Sequence, residues 1–182
     1  YSVGLADAFK AKCAEVGISV VADEGYSKGD VDFKAQLTNI LAATPDVVFC
    51  PNYYQDDGMI VTQARELGLT SSFLGGDGWA GVSAYASAED LEGSYFCSAY
   101  APGSTDAVKA FEAAYTAAYG ADTLNMFAAT AYDAAKVLVA ALTKAEASGT
   151  AAGSDEYKRA GIAALTTQAR RAAGIPRETV EH

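Results

Sequence analysis

Residues 45–58, Pro45-Asp46-Val47-Val48-Phe49-Cys50-Pro51-Asn52-Tyr53-Tyr54-Gln55-Asp56-Asp57-Gly58, decide how the chain is read. Val47 to Cys50 is a short apolar run after a Pro-Asp break. Without polar alternation, such a run reads as a strand covered on both faces, the habit of parallel sheets. Asn52 to Gly58 reads as a polar loop with two tyrosines. A helix should follow, with Met59, Ile60, Gln63, Ala64 and Leu67 on one side and Gly68 as its stop. Ser72 to Leu74 then reads as a second strand, running into Gly75-Gly76-Asp77-Gly78. Strand, helix and strand in this order make a βαβ unit with a right-handed crossover.

The same alternation extends outward. Leu5, Phe9, Cys13 and Val16 lie on one stripe of a helix that Gly17 can end. Ile18 to Ala22 reads as a buried strand and Glu24 to Asp30 as a loop. Asp30 is placed to cap a helix carrying Phe33, Leu37, Ile40 and Leu41 inward. Val82 to Tyr85 is weakly helical, and Ser94 to Tyr100 reads as another strand, ended by Pro102 and Gly103. Strands near Ile18, Val47, Ser72 and Ser94 with helices between most of them predict an α/β fold. Its parallel, doubly wound sheet should have helices on both faces.

The pattern changes after Gly103. Ser104 or Thr105 can cap a helix with Val108, Phe111, Tyr115 and Ala118 on one face. Gly120 to Asp122 is a turn, and a long helix is expected from about Asn125 to Ala147. Its first part is apolar nearly all round, which predicts burial on several sides. Ser148 to Ser154 reads as a small-residue linker and Asp155 to Leu165 as one more amphipathic helix. No strand signal appears from Gly103 onward, so these helices read as part of a layer whose strands lie outside this chain. The stretch after Thr167, with Arg170, Arg171 and Arg177 and the terminal His182, has no clear period and reads as an atypical tail.

Composition narrows the function classes. Of 182 residues, 51% are hydrophobic and 20% charged, enough apolar material for a core. Thirteen basic against 23 acidic residues leave a net charge of −10. That excess argues against nucleic acid, which needs a basic face, and against anionic membrane surfaces. No stretch approaches ~18 consecutive apolar residues. The chain opens at Tyr1 rather than Met, which allows for a targeting segment upstream. Cys13, Cys50 and Cys97 are widely spaced within apolar patterns and read as three core thiols, not a disulfide framework or zinc site.

Enzyme signatures are missing: there is no GxSxG, HExxH, Walker loop or GxGxxG, and no internal histidine to activate a nucleophile. Asp56 and Asp57 are adjacent, which suits favourable charges at a helix N-terminus better than a metal site. No cofactor is expected. In an open parallel sheet, ligands bind beyond the carboxyl ends of the strands, where the loops 51–57 and 75–79 fall. Two readings fit both loops. One is a pocket with aromatic walls, a carboxylate and close-approach glycines; the other is ordinary turn chemistry, with the tyrosines as half-buried packing. Trp79 suits a pocket wall and a core equally.

Several segments occur in an order that resembles a known family: Tyr1-Ser2-Val3-Gly4-Leu5-Ala6, Gly29-Asp30-Val31-Asp32-Phe33, Pro45-Asp46-Val47-Val48-Phe49, Asn52-Tyr53-Tyr54, Gln63-Ala64-Arg65-Glu66-Leu67-Gly68, Gly75-Gly76-Asp77-Gly78-Trp79, Phe111-Glu112-Ala113-Ala114-Tyr115 and Ala131-Tyr132-Asp133-Ala134. Together they resemble the branched-chain amino-acid (Leu/Ile/Val)-binding proteins of ABC transporters, which are periplasmic binding proteins of type I. The resemblance runs from Tyr1 to about Leu165. It implies two α/β lobes around a cleft, with residues 1–102 as the second lobe, 103–167 as helices belonging to the first, and 168–182 as the tail.

The resemblance further implies an extracytoplasmic solute-binding protein, periplasmic or extracellular and open to lipid anchoring. It would bind an amino acid, hand it to an ABC permease and work as a monomer in full-length form, without enzymatic activity. Three positions carry over as ligand-binding: Tyr1 at the cleft edge, Tyr53 in the loop after the strand 47–50, with Tyr54 as a rival, and Asp77 as acceptor of the ligand's α-ammonium. Relatives often have Glu at that last position. A ligand-sensing domain of a receptor or regulator, and a small flavodoxin-like enzyme, are the alternative readings.

Overall fold

The computed structural model describes residues 1–147, 149 and 151–172, with side chains through Thr166. Arg177 and His182, and the side chains of Arg170 and Arg171, lie outside the described residues. The chain divides into two compact units, Tyr1–Ala101 and Pro102–His182.

The first unit contains α1 (Ser2–Val16), α2 (Lys34–Ala43), β1 (Val47–Cys50), α3 (Tyr54–Glu66), β2 (Ser72–Gly75) and β3 (Tyr95–Phe96), with 3-10 turns at Asp77–Trp79 and Val82–Ala84. The strands form a parallel sheet in the order β1-β2-β3. Val47 pairs with Ser72 and Cys50 with Gly75, so β1 and β2 end level with each other.

Side-chain alternation sends neighbouring residues of β1 to opposite faces. On one face, Cys50 joins Phe73 of β2, Leu37 of α2 and Ile60, Val61 and Ala64 of α3 in the main core. On the other, the Phe49 ring stacks on Phe9 of α1 with centroids 4.2 Å apart. Helices therefore cover both faces of an α/β parallel sheet, as the sequence led one to expect.

Polar side chains fasten these layers. Gln63 of α3 accepts the Phe33 N–H at 2.8 Å and donates to the Val31 carbonyl at 2.9 Å, joining α3 to the approach of α2. The Arg65 guanidinium donates to the carbonyls of Leu69, Ser71 and Asp90 and lies over the Phe73 ring. It thus holds the connection that aims β2. After α3, Gly68 takes φ 85°, and the Leu69 N–H returns to the Ala64 carbonyl at 2.9 Å. Only a residue without Cβ enters that left-handed region cheaply.

Several expectations need correction. Ile18 to Ala22 has no regular secondary structure and joins no strand ladder, and Ile18, Val20 and Val21 are 60%, 44% and 54% exposed. Its apolar run has the composition of a covered strand without the neighbours that would cover it. The strand expected over 94–100 is reduced to Tyr95–Phe96, both exposed. Asp30 does not cap α2. It closes a tighter turn, accepting the Ser27 N–H at 2.8 Å, and α2 starts only after Phe33. The polar loop assigned to 52–58 is shorter, because α3 already begins at Tyr54. Cys13 and Cys50 are buried thiols, but Cys97 is exposed.

The second unit contains α4 (Asp106–Tyr119), α5 (Met126–Glu146) and α6 (Asp155–Ala172). The Thr105 hydroxyl accepts the Val108 N–H at 3.1 Å, and the Asn125 carboxamide oxygen accepts the N–H groups of Phe127 and Ala128. Both are side-chain N-caps, which satisfy donors that a helix start leaves free. Phe111 of α4 packs on Tyr132 of α5, and α5 runs along α6 with Ala141 and Ala145 buried. Helix α6 extends to Ala172, past the expected stop at Leu165.

The burial expected on several sides of the first part of α5 is not seen: Met126 is buried, but Ala131, Tyr132, Ala134 and Ala135 are exposed. Further along, Leu138, Val139 and Leu142 are exposed as well. By length and composition alone this helix is apolar enough to cross a membrane, despite Asp133 and Lys136.

Candidate functional site

The carboxyl ends of β1 and β2 launch the two loops that matter. Beyond β2, the chain turns through Gly76 into the 3-10 turn Asp77–Trp79, closed by Trp79 N–H to Gly76 O and Ala80 N–H to Asp77 O, both 3.2 Å. Trp79 anchors this turn. Its ring is 1% exposed, and its Nε1–H donates to the Cys50 carbonyl at 2.7 Å. The indole therefore packs into the core of the first unit, while also lining a small cavity. It lies flat enough on Gly75 that a Cβ there would run into the ring.

With Trp79 turned inward, Asp77 stands at the surface. The Tyr1 hydroxyl donates to Asp77 Oδ1 at 2.6 Å and accepts the Gly78 N–H at 2.8 Å. The Tyr53 ring stacks on Tyr1 with centroids 4.7 Å apart and planes 25° from parallel. Tyr1, Tyr53 and Asp77, drawn from the start of α1, the β1–α3 loop and the β2 turn, thus form one contiguous patch. Tyr54, the rival, turns its ring toward Tyr85 instead.

The electrostatics leave Asp77 available. Among the described residues no cation pairs with it, and its Oδ2 takes no hydrogen bond. Partial desolvation pushes the Tyr1 phenol up to about 12, Asp77 acts in the same direction, and the Gly78 N–H opposes both. Tyr1 therefore stays neutral near pH 7 and serves as a donor. A carboxylate oriented through one oxygen, with the other open, can accept a further donor such as an ammonium group. The tyrosine rings present apolar wall.

A second polar group is linked to this patch through Asn52. Asp57, in the first turn of α3, is fully buried. Its Oδ1 accepts the Asn52 side-chain amide at 3.3 Å, while Oδ2 has no hydrogen-bond partner among the described residues. Burial pushes the carboxyl up to about 7; Cys50 and Asn52 beside it pull back, and Asp56 pushes further. Asp56 itself accepts the Tyr26 hydroxyl at 2.8 Å. Both residues lie in the first turn of α3, as expected of charges at a helix N-terminus, and these contacts come in addition to that placement.

No group of His, Cys, Asp and Glu among the described residues could hold a metal ion. A cavity of about 240 Å³ lies apart from the tyrosine–aspartate patch, lined in part by Trp79, Val82, Leu91 and Phe96.

Comparison with known proteins agrees with this architecture. The family model described as "Periplasmic binding protein" matches residues 1–177. The chain is 34% identical over 149 residues to the Leu/Ile/Val-binding protein BraC3 of Rhizobium johnstonii, covering 80% of this chain and 39% of that one. Among solved structures, the leucine binding protein LivK of Thermotoga maritima is 32% identical with a TM-score of 0.75, over 90% of this chain and 45% of that one. The branched-chain amino acid transporter substrate binding protein LivJ of Streptococcus pneumoniae, in complex with isoleucine, is 34% identical with a TM-score of 0.68, over 83% and 43%.

The fold is that of a type I periplasmic binding protein. The chain belongs to the periplasmic binding protein family, and spans less than half the length of these relatives.

Proposed function

We propose that Tyr1, Tyr53 and Asp77 are the second-lobe half of a binding site for a free amino acid with a branched aliphatic side chain. Asp77 takes the α-ammonium through Oδ2, and Tyr1 and Tyr53 form the wall. The observation that carries this reading is the Tyr1–Asp77 hydrogen bond, which orients the carboxylate and leaves one oxygen open. A carboxylate with no resident cation is what an incoming ammonium needs when it leaves water. Leucine and isoleucine are named for the similar LivK and LivJ proteins, which favours the aliphatic class.

In this reading residues 1–102 are the second lobe, and the helices from 103 to 167 belong to a first lobe whose sheet supplies the groups for the ligand carboxylate. The complete protein is an extracytoplasmic, monomeric receptor that closes on its ligand and delivers it to an ABC permease. Binding shifts a hinge equilibrium by contacting both lobes in the closed form. No bond is made or broken, so the protein is not an enzyme.

Titration calorimetry with L-leucine and L-isoleucine on the two-lobe protein tests this. The wild type should bind and Asp77→Ala should show no measurable heat. Unchanged affinity in Asp77→Ala would overturn the assignment. The 182-residue chain alone should bind weakly or not at all; micromolar leucine binding would contradict the two-lobe reading.

A further inference from the structure

Asp57 does not touch the tyrosine–aspartate patch, yet it is connected to it by an unbroken chain of contacts. Its Oδ1 holds the Asn52 side chain. The Asn52 carbonyl lies against the Cα of Gly78, where a Cβ would run into it. The Gly78 N–H in turn donates to the Tyr1 hydroxyl, which holds Asp77. Asn52 also precedes Tyr53, the residue stacked on Tyr1. The short loop from Pro51 to Tyr53 is thus gripped from behind by Asp57 and carries two of its contacts forward into the site.

We propose that Asp57 is a positioning residue for this site: through Asn52, the protonation of its buried carboxyl sets the β1–α3 loop against Gly78 and so tunes ligand affinity. This rests on the function proposed above for Tyr1, Tyr53 and Asp77.

The reason is the mismatch between the pocket around Asp57 and a full negative charge. The carboxyl is fully buried, with one oxygen unpartnered among the described residues. The groups acting on it are the Cys50 thiol from β1, the Asn52 amide from the loop and the Asp56 carboxylate from its own helix, with Tyr26 held on Asp56. None of these is a cation. The N-terminal position in α3 offers a favourable dipole, but a like charge stands next to it. The neutral acid suits this pocket. The anion draws solvent or additional donors toward Oδ2, and Asn52 is the movable neighbour. Burial brings the proton exchange near neutral pH.

The test separates the coupling from the ligand reading. Ring resonances of Tyr1 and Tyr53 are followed by NMR from pH 5 to pH 9 without ligand, alongside calorimetry with L-leucine on the two-lobe protein at pH 6 and pH 8. In the wild type, both rings should shift with a midpoint near 7, and leucine should bind about fivefold more weakly at pH 8 than at pH 6, the lower end of typical coupling between sites. The near-isosteric Asp57→Asn should abolish both effects. Asn52→Ala, which cuts the link while leaving Asp57 titratable, should also remove the ring shifts.

Should Asp57→Asn not fold, Asn52→Ala alone decides. Ring titration without leucine binding at either pH would support the coupling and reject the amino-acid reading. Leucine binding that is flat with pH, with rings that do not respond, would overturn the role of Asp57 while leaving the amino-acid reading in place.

Discussion

Tyr1 and Asp77 stand 76 positions apart in the chain and are joined by a 2.6 Å hydrogen bond from phenol to carboxylate. The bond sets the rotamer of an exposed acid by means of a residue at the start of α1. It is short because the acceptor is charged. The same phenol oxygen receives the Gly78 N–H, so side chain and turn are fixed together.

Tyr1→Phe keeps the ring stack on Tyr53 and removes both hydrogen bonds. Each such bond contributes about 1 kcal/mol net. Leucine affinity of the two-lobe protein should fall roughly five- to tenfold, with little change in unfolding midpoint, because the site is open to solvent. Calorimetry and urea titration together check this; a loss of stability without a loss of affinity would assign Tyr1 to the fold alone.

Asp77→Asn separates charge from hydrogen bonding. The amide still accepts from Tyr1 but cannot neutralise an ammonium. The loss expected for removing one partner of a desolvated charge pair is about 2–5 kcal/mol. Binding of leucine should weaken at least thirtyfold by that estimate, whereas the thermal midpoint should be preserved. Equal affinity for leucine in wild type and Asp77→Asn would mean the ammonium is held elsewhere.

Trp79 carries the turn on its back. Trp79→Ala removes a ring that is 1% exposed together with the bond to the Cys50 carbonyl. A loss of about 3–5 kcal/mol is expected for such a truncation. Gly75→Ala should destabilise by about 1–3 kcal/mol through overpacking against the same ring. Denaturant titration followed by circular dichroism measures both, and a neutral Gly75→Ala would show that the indole is free to shift.

Asp57 makes stability depend on pH with a definite sign. Its carboxyl is raised from 3.8 to about 7 in the folded chain, so between those values the folded state holds more protons than the unfolded one. Its favourable contribution is complete below about pH 4 and is lost as pH rises to about 7. The full swing is on the order of 4 kcal/mol, an upper bound set by the shift itself. Asp57→Asn should flatten this limb and be more stable than wild type at pH 8. Urea midpoints at pH 5 and pH 8 decide it; a wild type that gains stability between them while the variant does not would reverse the assignment.

Much of the fold could be read from residue order because periodicity and stop signals agree locally. Gly68 ends α3 and Thr105 starts α4 for reasons confined to a few neighbouring residues. The expectations that failed concern what lies alongside. Ile18 to Ala22 and Ser94 to Tyr100 have strand composition, but a ladder needs a partner, and composition does not record one.

For the candidate site, the parallel sheet directs attention to the strand ends, and the structure places Tyr1, Tyr53 and Asp77 side by side there. That Tyr1 should grip Asp77 was not legible, since only tertiary packing brings α1 to the β2 turn. The burial of Asp57 was equally hidden. Acidic pairs at a helix start are ordinarily wet, and nothing in the one-dimensional pattern marks the one that is not.

Trp79 is the sole tryptophan in the chain, and it is sealed within the first unit. Its fluorescence therefore serves as a built-in optical gauge for the unit Tyr1–Ala101. Comparing emission with helical ellipticity during heating would reveal, without any label, whether the halves come apart in one transition or in two.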